Sequence, residues 1–284
     1  MTAGRAGGPA FTVVVPAHEE ETVVGRCLAF VAGLEPGEAE VVVVANGCTD
    51  RTAEVARAVP GVRVVELAQG SKRLALDAGD AALAGGPGLP RIYLDADVVV
   101  GPEALRATAA ALVGAAPRAA APAVRFRLDG RPPLVRAFYA AYARTPYVTD
   151  GLVGLGLYGV SAAGRARWGR FPDVTSDDLF VQRTFREHER VVVTGHRFDV
   201  EVPRTLASLL AVRTRTAQGN AELASAGREE DAASTGVTVR ALVRDVRRHP
   251  WHLPSAAVYV GVVLAARHRA RRRPATWHRD ASTR

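Results

Sequence analysis

Cysteine is scarce in this chain, with only Cys27 and Cys48 in 284 residues. Two cysteines are too few to argue a disulfide framework, and theirs is not metal-ligand spacing, so a reducing compartment fits. Lysine is scarcer still: Lys72 stands alone against 36 arginines. Also missing is any run of about 20 apolar residues, the length a membrane-spanning helix needs. The first ten residues, small and glycine-rich, lack the apolar stretch of a signal peptide. The expectation is a disordered segment over 1–10 and a cytoplasmic protein. No basic stripe with interleaved aromatics runs through the main body, which argues against a nucleic-acid partner.

What is present is apolar content and an uneven charge. At 48% hydrophobic the chain can bury one large core, and one main domain is expected. Residues 240–284 carry eleven arginines against Asp245 and Asp280, a net +9 in a chain of net +8, so the rest is near −1. Within that basic tail, Leu253–Ala266 is apolar apart from Ser255 and follows Trp251. Two readings stand side by side: a helix lying in a membrane interface, or a terminal helix packed on the domain.

Short β-branched runs at 11–15, 40–45, 62–66 and 91–94 alternate with stretches of helical periodicity at 20–34, 50–58, 71–83 and 102–112. That alternation predicts βαβ units and a mostly parallel α/β sheet. Asp50 and Pro102 suit helix starts. A fifth strand is expected at 119–128, further strands at 191–194 and 198–202, and a helix at 206–215. Residues 219–236 are small and polar and read as a loop.

The chemistry concentrates in four places. Asp95 and Asp97 are two apart at the end of an apolar strand, so both point to one side of the pleat. Hard cations take oxygen ligands, and a diphosphate supplies further ones, so this pair suits a divalent metal, Mg²⁺ or Mn²⁺, with a nucleotide. Pro16-Ala-His-Glu-Glu-Glu21 follows the first strand and Asn46-Gly-Cys-Thr-Asp50 the second. In an open parallel sheet those loops share the edge where nucleotides bind. The fourth place is Ser176-Asp177-Asp178, a helix cap or a site of proton transfer.

The order Pro-Ala-His-Glu-Glu, Asn-Gly-Cys-Thr-Asp-Arg-Thr, Gly70-Ser-Lys72-Arg-Leu, Leu94-Asp-Ala-Asp97 and Ser-Asp-Asp178-Leu resembles family 2 glycosyltransferases of the GT-A fold. The resemblance implies a Rossmann-like sheet over 11–220 with a C-terminal helical extension. Residues 11–128 would take the nucleotide sugar and 129–220 the acceptor; 221–284 lies beyond the resemblance as a basic extension, for which peripheral membrane contact is one of the two readings. It places Pro16, Ala17, His18, Glu20, Asn46 and Lys72 at the nucleotide, Asp95 and Asp97 at the ribose, diphosphate and metal, and Asp177 at the donor. Asp178 matches the catalytic base of an inverting transfer. Lys72, the one lysine, sits inside one of these motifs, where a compact ammonium differs from a guanidinium fork.

Arg213 and Arg215 align where processive members carry Gln-x-x-Arg-Trp, but the tryptophan is missing, so a non-processive enzyme is expected. Either these arginines close over the diphosphate or they form a solvated helix face. The expected partners are a nucleoside diphosphate sugar and a glycan or lipid-linked acceptor. The alternative function is a sugar-phosphate nucleotidyltransferase, although Pro16-Ala-His-Glu-Glu is not the glycine-rich loop such enzymes open with.

Overall fold

The computed structural model describes residues 9–83, 88–149, 154–173, 177–225 and 231–272. Its strands are β1 (Phe11–Ala17), β2 (Ala39–Asn46), β3 (Val62–Leu67), β4 (Arg91–Leu94), β5 (Val99–Val100), β6 (Ala119–Arg127), β7 (Leu157–Val160) and β8 (Arg190–Glu201). Its α-helices are α1 (Val24–Cys27), α2 (Thr52–Arg57), α3 (Lys72–Ala82), α4 (Pro102–Ala111), α5 (Pro133–Tyr142), α6 (Pro146–Thr149), α7 (Ala162–Arg165), α8 (Asp177–Thr184), α9 (Leu206–Ser225), α10 (Asp231–Arg248) and α11 (Leu253–Arg272).

One sheet runs in the order β3-β2-β1-β4-β7-β6-β8-β5. β3, β2, β1 and β4 pair in parallel, β7 pairs antiparallel with β4 and β6, and β8 pairs parallel with β6. The mostly parallel sheet with helices on both faces is thus present. Strand alternation builds the two faces: Val13, Val15, Val41 and Val43 point into one core, and Val14, Val42 and Val44 into the other. Strands buried on both faces read as continuous valine runs because neither side meets water.

Several expected elements take a different form. The stretch read as one helix over 20–34 is a single α-turn followed by 3₁₀ turns at Leu28–Gly33. Loop contacts at its start take the place of a regular N-terminus. The strands expected at 191–194 and 198–202 are one strand, β8, with an irregular register opposite Pro122 and Ala123 and Gly195 at φ 84°. The loop expected over 219–236 is largely helix: α9 continues to Ser225 and α10 starts at Asp231, leaving only 226–230 outside the described residues. Small polar composition suggested a loop there, but packing of α9 against α5 and α11 supports a longer helix than local propensity does. Of the N-terminal segment only Pro9 and Ala10 are described.

A third core is aromatic. α5, α9 and α11 bring together Phe138, Tyr139, Tyr142, Leu209 and Val262, with Tyr259 stacked on Phe138 at 5.2 Å.

Candidate active site

Because β1, β2, β3 and β4 are parallel, their carboxyl ends share one edge, and the loops after them meet. Asn46, at the end of β2 and 2% exposed, joins three of these segments. Its Nδ2 donates to the Ala17 carbonyl at 2.7 Å, and its Oδ1 accepts from the Ser71 amide at 2.9 Å. The Asn46 carbonyl lies 2.6 Å from His18 Nδ1; a carbonyl only accepts, so Nδ1 carries the proton. Further rungs follow, with the Glu20 amide donating to Thr52 Oγ1 at 2.6 Å and the Glu21 amide to Asp50 Oδ2 at 3.2 Å. Asp50 also accepts from the Thr52 amide at 3.0 Å, bracing the start of α2 from the residue before its N-cap, Arg51. Gly47 has φ 60°, and a Cβ there would sit 2.4 Å from the Gly70 amide nitrogen. Only glycine lets these two loops touch.

Pro16 and Ala17 form the buried end of β1, and His18 and Glu20 are partly buried beside them. Asn46, expected at the nucleotide, bonds the protein through both ends of its amide. It positions the loops.

Lys72 opens α3, with Ser71 as its N-cap. Its Nζ bridges two carboxylates, lying 2.8 Å from Asp95 Oδ1 and 2.7 Å from Asp177 Oδ1. Burial alone would lower the ammonium pKa, but Asp177 and Asp95 outweigh it and hold the group charged, above the usual lysine range. On its other oxygen, Asp177 accepts from the buried Tyr158 hydroxyl at 2.9 Å. The lone lysine therefore ties the end of β4 to the start of α8, joining Asp95 and Asp177, 82 positions apart in sequence.

Asp178 follows directly. Its Oδ2 accepts from the Leu155 amide at 3.2 Å and its Oδ1 from the Leu179 amide at 2.8 Å. Burial, then the neighbouring Asp177 charge, raise its pKa above the ordinary carboxylate value, with Lys72 opposing. A carboxylate raised in this way is suited to accept a proton. Leu155 sits at φ 61°, a strained conformation for a branched side chain. Glu19, at φ 57°, is the other non-glycine residue with positive φ among those described. Both flank this site, where backbone strain tends to collect.

Asp95 is partly exposed and its amide donates to the Gly156 carbonyl at 2.7 Å. Gly156 has φ 91°, and a Cβ there would approach Val98 Cγ2 to 2.7 Å and Asp95 Oδ2 to 3.2 Å. Gly156 thus runs against Asp95; residues 150–153 and 174–176, Ser176 included, lie outside the described residues.

Among the described residues no three His, Cys, Asp or Glu side chains already form a metal-ligand set. The donor chemistry nevertheless suits a divalent ion. Asp95 and Asp97 are hard oxygen donors on one edge, and the local charge is acidic: after burial, the carboxylates of Asp97, Asp95 and Glu20 are what push the Cys27 thiol up. A diphosphate would supply the missing oxygens.

The two arginines do not sit as a clamp. Arg213 stacks over Tyr142 at 5.1 Å and Phe138 at 5.7 Å, within the aromatic core. Tyr142 and Tyr259 reinforce its charge against burial. Arg215 lies two residues on along α9, and side chains two apart on a helix point to different sides. Arg213 thus lies against rings, and Arg215 faces another side of α9. No motif foretold Tyr158 or the tyrosine cluster, because each acts through partners distant in sequence.

A family model described as glycosyltransferase like family 2 matches residues 9–253. The chain belongs to that family. As a family 2 glycosyltransferase it is an enzyme of sugar transfer, which sets aside the nucleotidyltransferase alternative. No curated protein matches the chain. Among solved structures, a mannosyltransferase from Pyrobaculum calidifontis in complex with GDP-Man and Mn²⁺ is 23% identical, with TM-score 0.59 over 92% of this chain and 76% of that one. Glucosyl-3-phosphoglycerate synthase from Mycobacterium tuberculosis, in complex with Mn²⁺ and UDP-Glc, is 20% identical, with TM-score 0.52 over 79% of this chain and 81% of that one. At these identities the likeness is one of fold, GT-A.

Proposed function

We propose that this glycosyltransferase moves one sugar from a nucleoside diphosphate sugar to an acceptor hydroxyl, with inversion, in a single displacement. Residues 11–128 take the donor and 129–220 the acceptor, whose class is a glycan or lipid-linked glycan. Asp178 accepts the hydroxyl proton as the acceptor oxygen bonds to the anomeric carbon from the face opposite the leaving group. The bond from that carbon to the diphosphate oxygen breaks, and the nucleoside diphosphate departs with the electron pair. Inversion follows because one carboxylate acts as a base, and the step needs no covalent intermediate.

The observation that carries this reading is the pairing of Asp178 with the Lys72 bridge. The ammonium bridges Asp95 and Asp177, and the charge on Asp177, after burial, helps make its neighbour Asp178 basic. Asp95 and Asp97 would hold Mg²⁺ or Mn²⁺, which supplies Lewis-acid stabilisation of the charge on the departing diphosphate. The latched loops at His18, Glu20 and Asn46 preorganise the nucleotide pocket, so little ordering remains when the donor binds. The two solved neighbours, with GDP-Man and UDP-Glc beside Mn²⁺, support the donor class without choosing the base.

The test is a panel of nucleoside diphosphate sugars with Mn²⁺, read by nucleoside diphosphate release and by NMR of the product anomer. An α-configured donor is expected to give a β-linked product. A product with retained configuration, or no release from any donor, would overturn the proposal.

A further inference from the structure

We infer that the C-terminal helices form a docking surface for an anionic membrane, with α11 lying in the plane of the interface. α11 has two faces. Ala256, Val262 and Ala266 are buried against the domain, and Tyr259 stacks on α5. On the opposite side Leu253, Val260 and Leu264 are 59%, 41% and 59% exposed. Their spacing of seven and four residues sets them on one stripe, about 17 Å long at the rise of an α-helix.

Both ends of the stripe are marked. Trp251, 72% exposed, stands in the turn before Leu253, three residues after the exposed Arg247 and Arg248 pair; the exposed Arg271 and Arg272 close the other end. An apolar stripe bounded by arginines, with a tryptophan at its margin, matches the chemistry of a bilayer surface: acyl chains in the middle, anionic headgroups around them, and an indole at the level between. No helix of the described residues is long and apolar enough to cross a membrane, so the surface lies on the bilayer. A second copy is a poorer occupant. Antiparallel pairing along the stripe would set one arginine end against the other, and parallel pairing would set like ends together; both repel.

What this adds to the proposed reaction is where an acceptor with a lipid anchor is met. That consequence rests on the proposed transfer; the surface itself does not.

The experiment is sedimentation of the full chain with vesicles of phosphatidylcholine alone and of phosphatidylcholine with phosphatidylglycerol. Binding to the anionic vesicles is expected, with a blue shift of tryptophan emission that Trp251→Phe removes. The variant Val260→Glu with Leu264→Glu, both at exposed positions, is expected to abolish binding while melting like wild type. Arg271→Glu with Arg272→Glu should weaken binding by roughly tenfold or more. Wild type left in the supernatant, equal binding to neutral vesicles, or binding unchanged in the double glutamate variant would overturn the inference. So would a lipid-free dimer that the same variant dissociates, since a second copy would then cover the stripe. Nucleoside diphosphate release from the donor in the absence of lipid is measured in parallel. It stays unchanged in these variants if only the surface inference fails, and is absent from wild type if the reaction is misassigned.

Discussion

The donor edge and the tyrosine-lined core beside it are built by different physics. At the donor edge, loops after parallel strands are tied by short polar contacts: Asn46 to Ala17 and Ser71, Glu20 to Thr52, Lys72 to Asp95 and Asp177. In the aromatic core, three helices from distant parts of the chain stack rings, with Arg213 over Tyr142 and Tyr259 over Phe138. The first is a fixed polar frame, where losing one partner strands another. The second spreads its energy over many ring contacts, where each loss is modest.

The largest test of that difference is Asp178→Asn, on the polar side. Loss of a base is expected to lower transfer by roughly 10²- to 10⁴-fold, measured as nucleoside diphosphate release with acceptor present. Because its pKa is raised in the folded protein, ionised Asp178 costs stability that the protonated form keeps. Stability from this group is present at low pH and falls as pH rises through the raised pKa, while activity rises over the same range. The asparagine variant should therefore melt no lower than wild type near neutral pH and should lose the acid limb of the pH–rate profile. Transfer that survives in it would remove Asp178 from the chemistry.

Asn46→Ala comes next, because it leaves the Ser71 amide and the Ala17 carbonyl without their buried partner. A stability loss of about 2 kcal/mol is expected, read by denaturant unfolding, together with a raised donor KM. A donor KM that does not move would mean that the loops hold their shape without the latch.

Gly156→Ala should act more locally. The strained backbone and the approach to Val98 and Asp95 are expected to cost about 1–3 kcal/mol, visible as roughly tenfold weaker donor binding with Mn²⁺ in calorimetry.

The smallest change belongs to the aromatic side. Arg213→Met removes a cation over two rings, a contact worth about 0.5–2 kcal/mol. The acceptor KM is expected to rise while the donor KM stays put. A shift in the donor KM instead would return Arg213 to the diphosphate and erase the contrast between the two regions.

The same contrast explains what could be read in advance. β1, β2, β4 and α3 were legible because β-branched runs and helical periodicity are local signals. That the loops after β1, β2 and β4 meet was legible because parallel strands must bring successive loops to one edge. The length of α9, the whole of α10 and the merging of β8 were not, since each depends on packing that composition does not carry. Nor could sequence say that Asn46 spends its amide on the protein, or that Arg213 faces rings.

By itself, then, the chain determined which residues carry charge, which strands are apolar on both sides, and that acidic pairs end them; those are properties of covalent order and periodicity. Only the tertiary structure decided that Lys72 lies between Asp95 and Asp177, that Tyr158 anchors the second of these, and that α11 turns one apolar face inward and the other out. Each of those is a contact between residues far apart in sequence, and such contacts exist only once a sheet and its helices have fixed the distances between them.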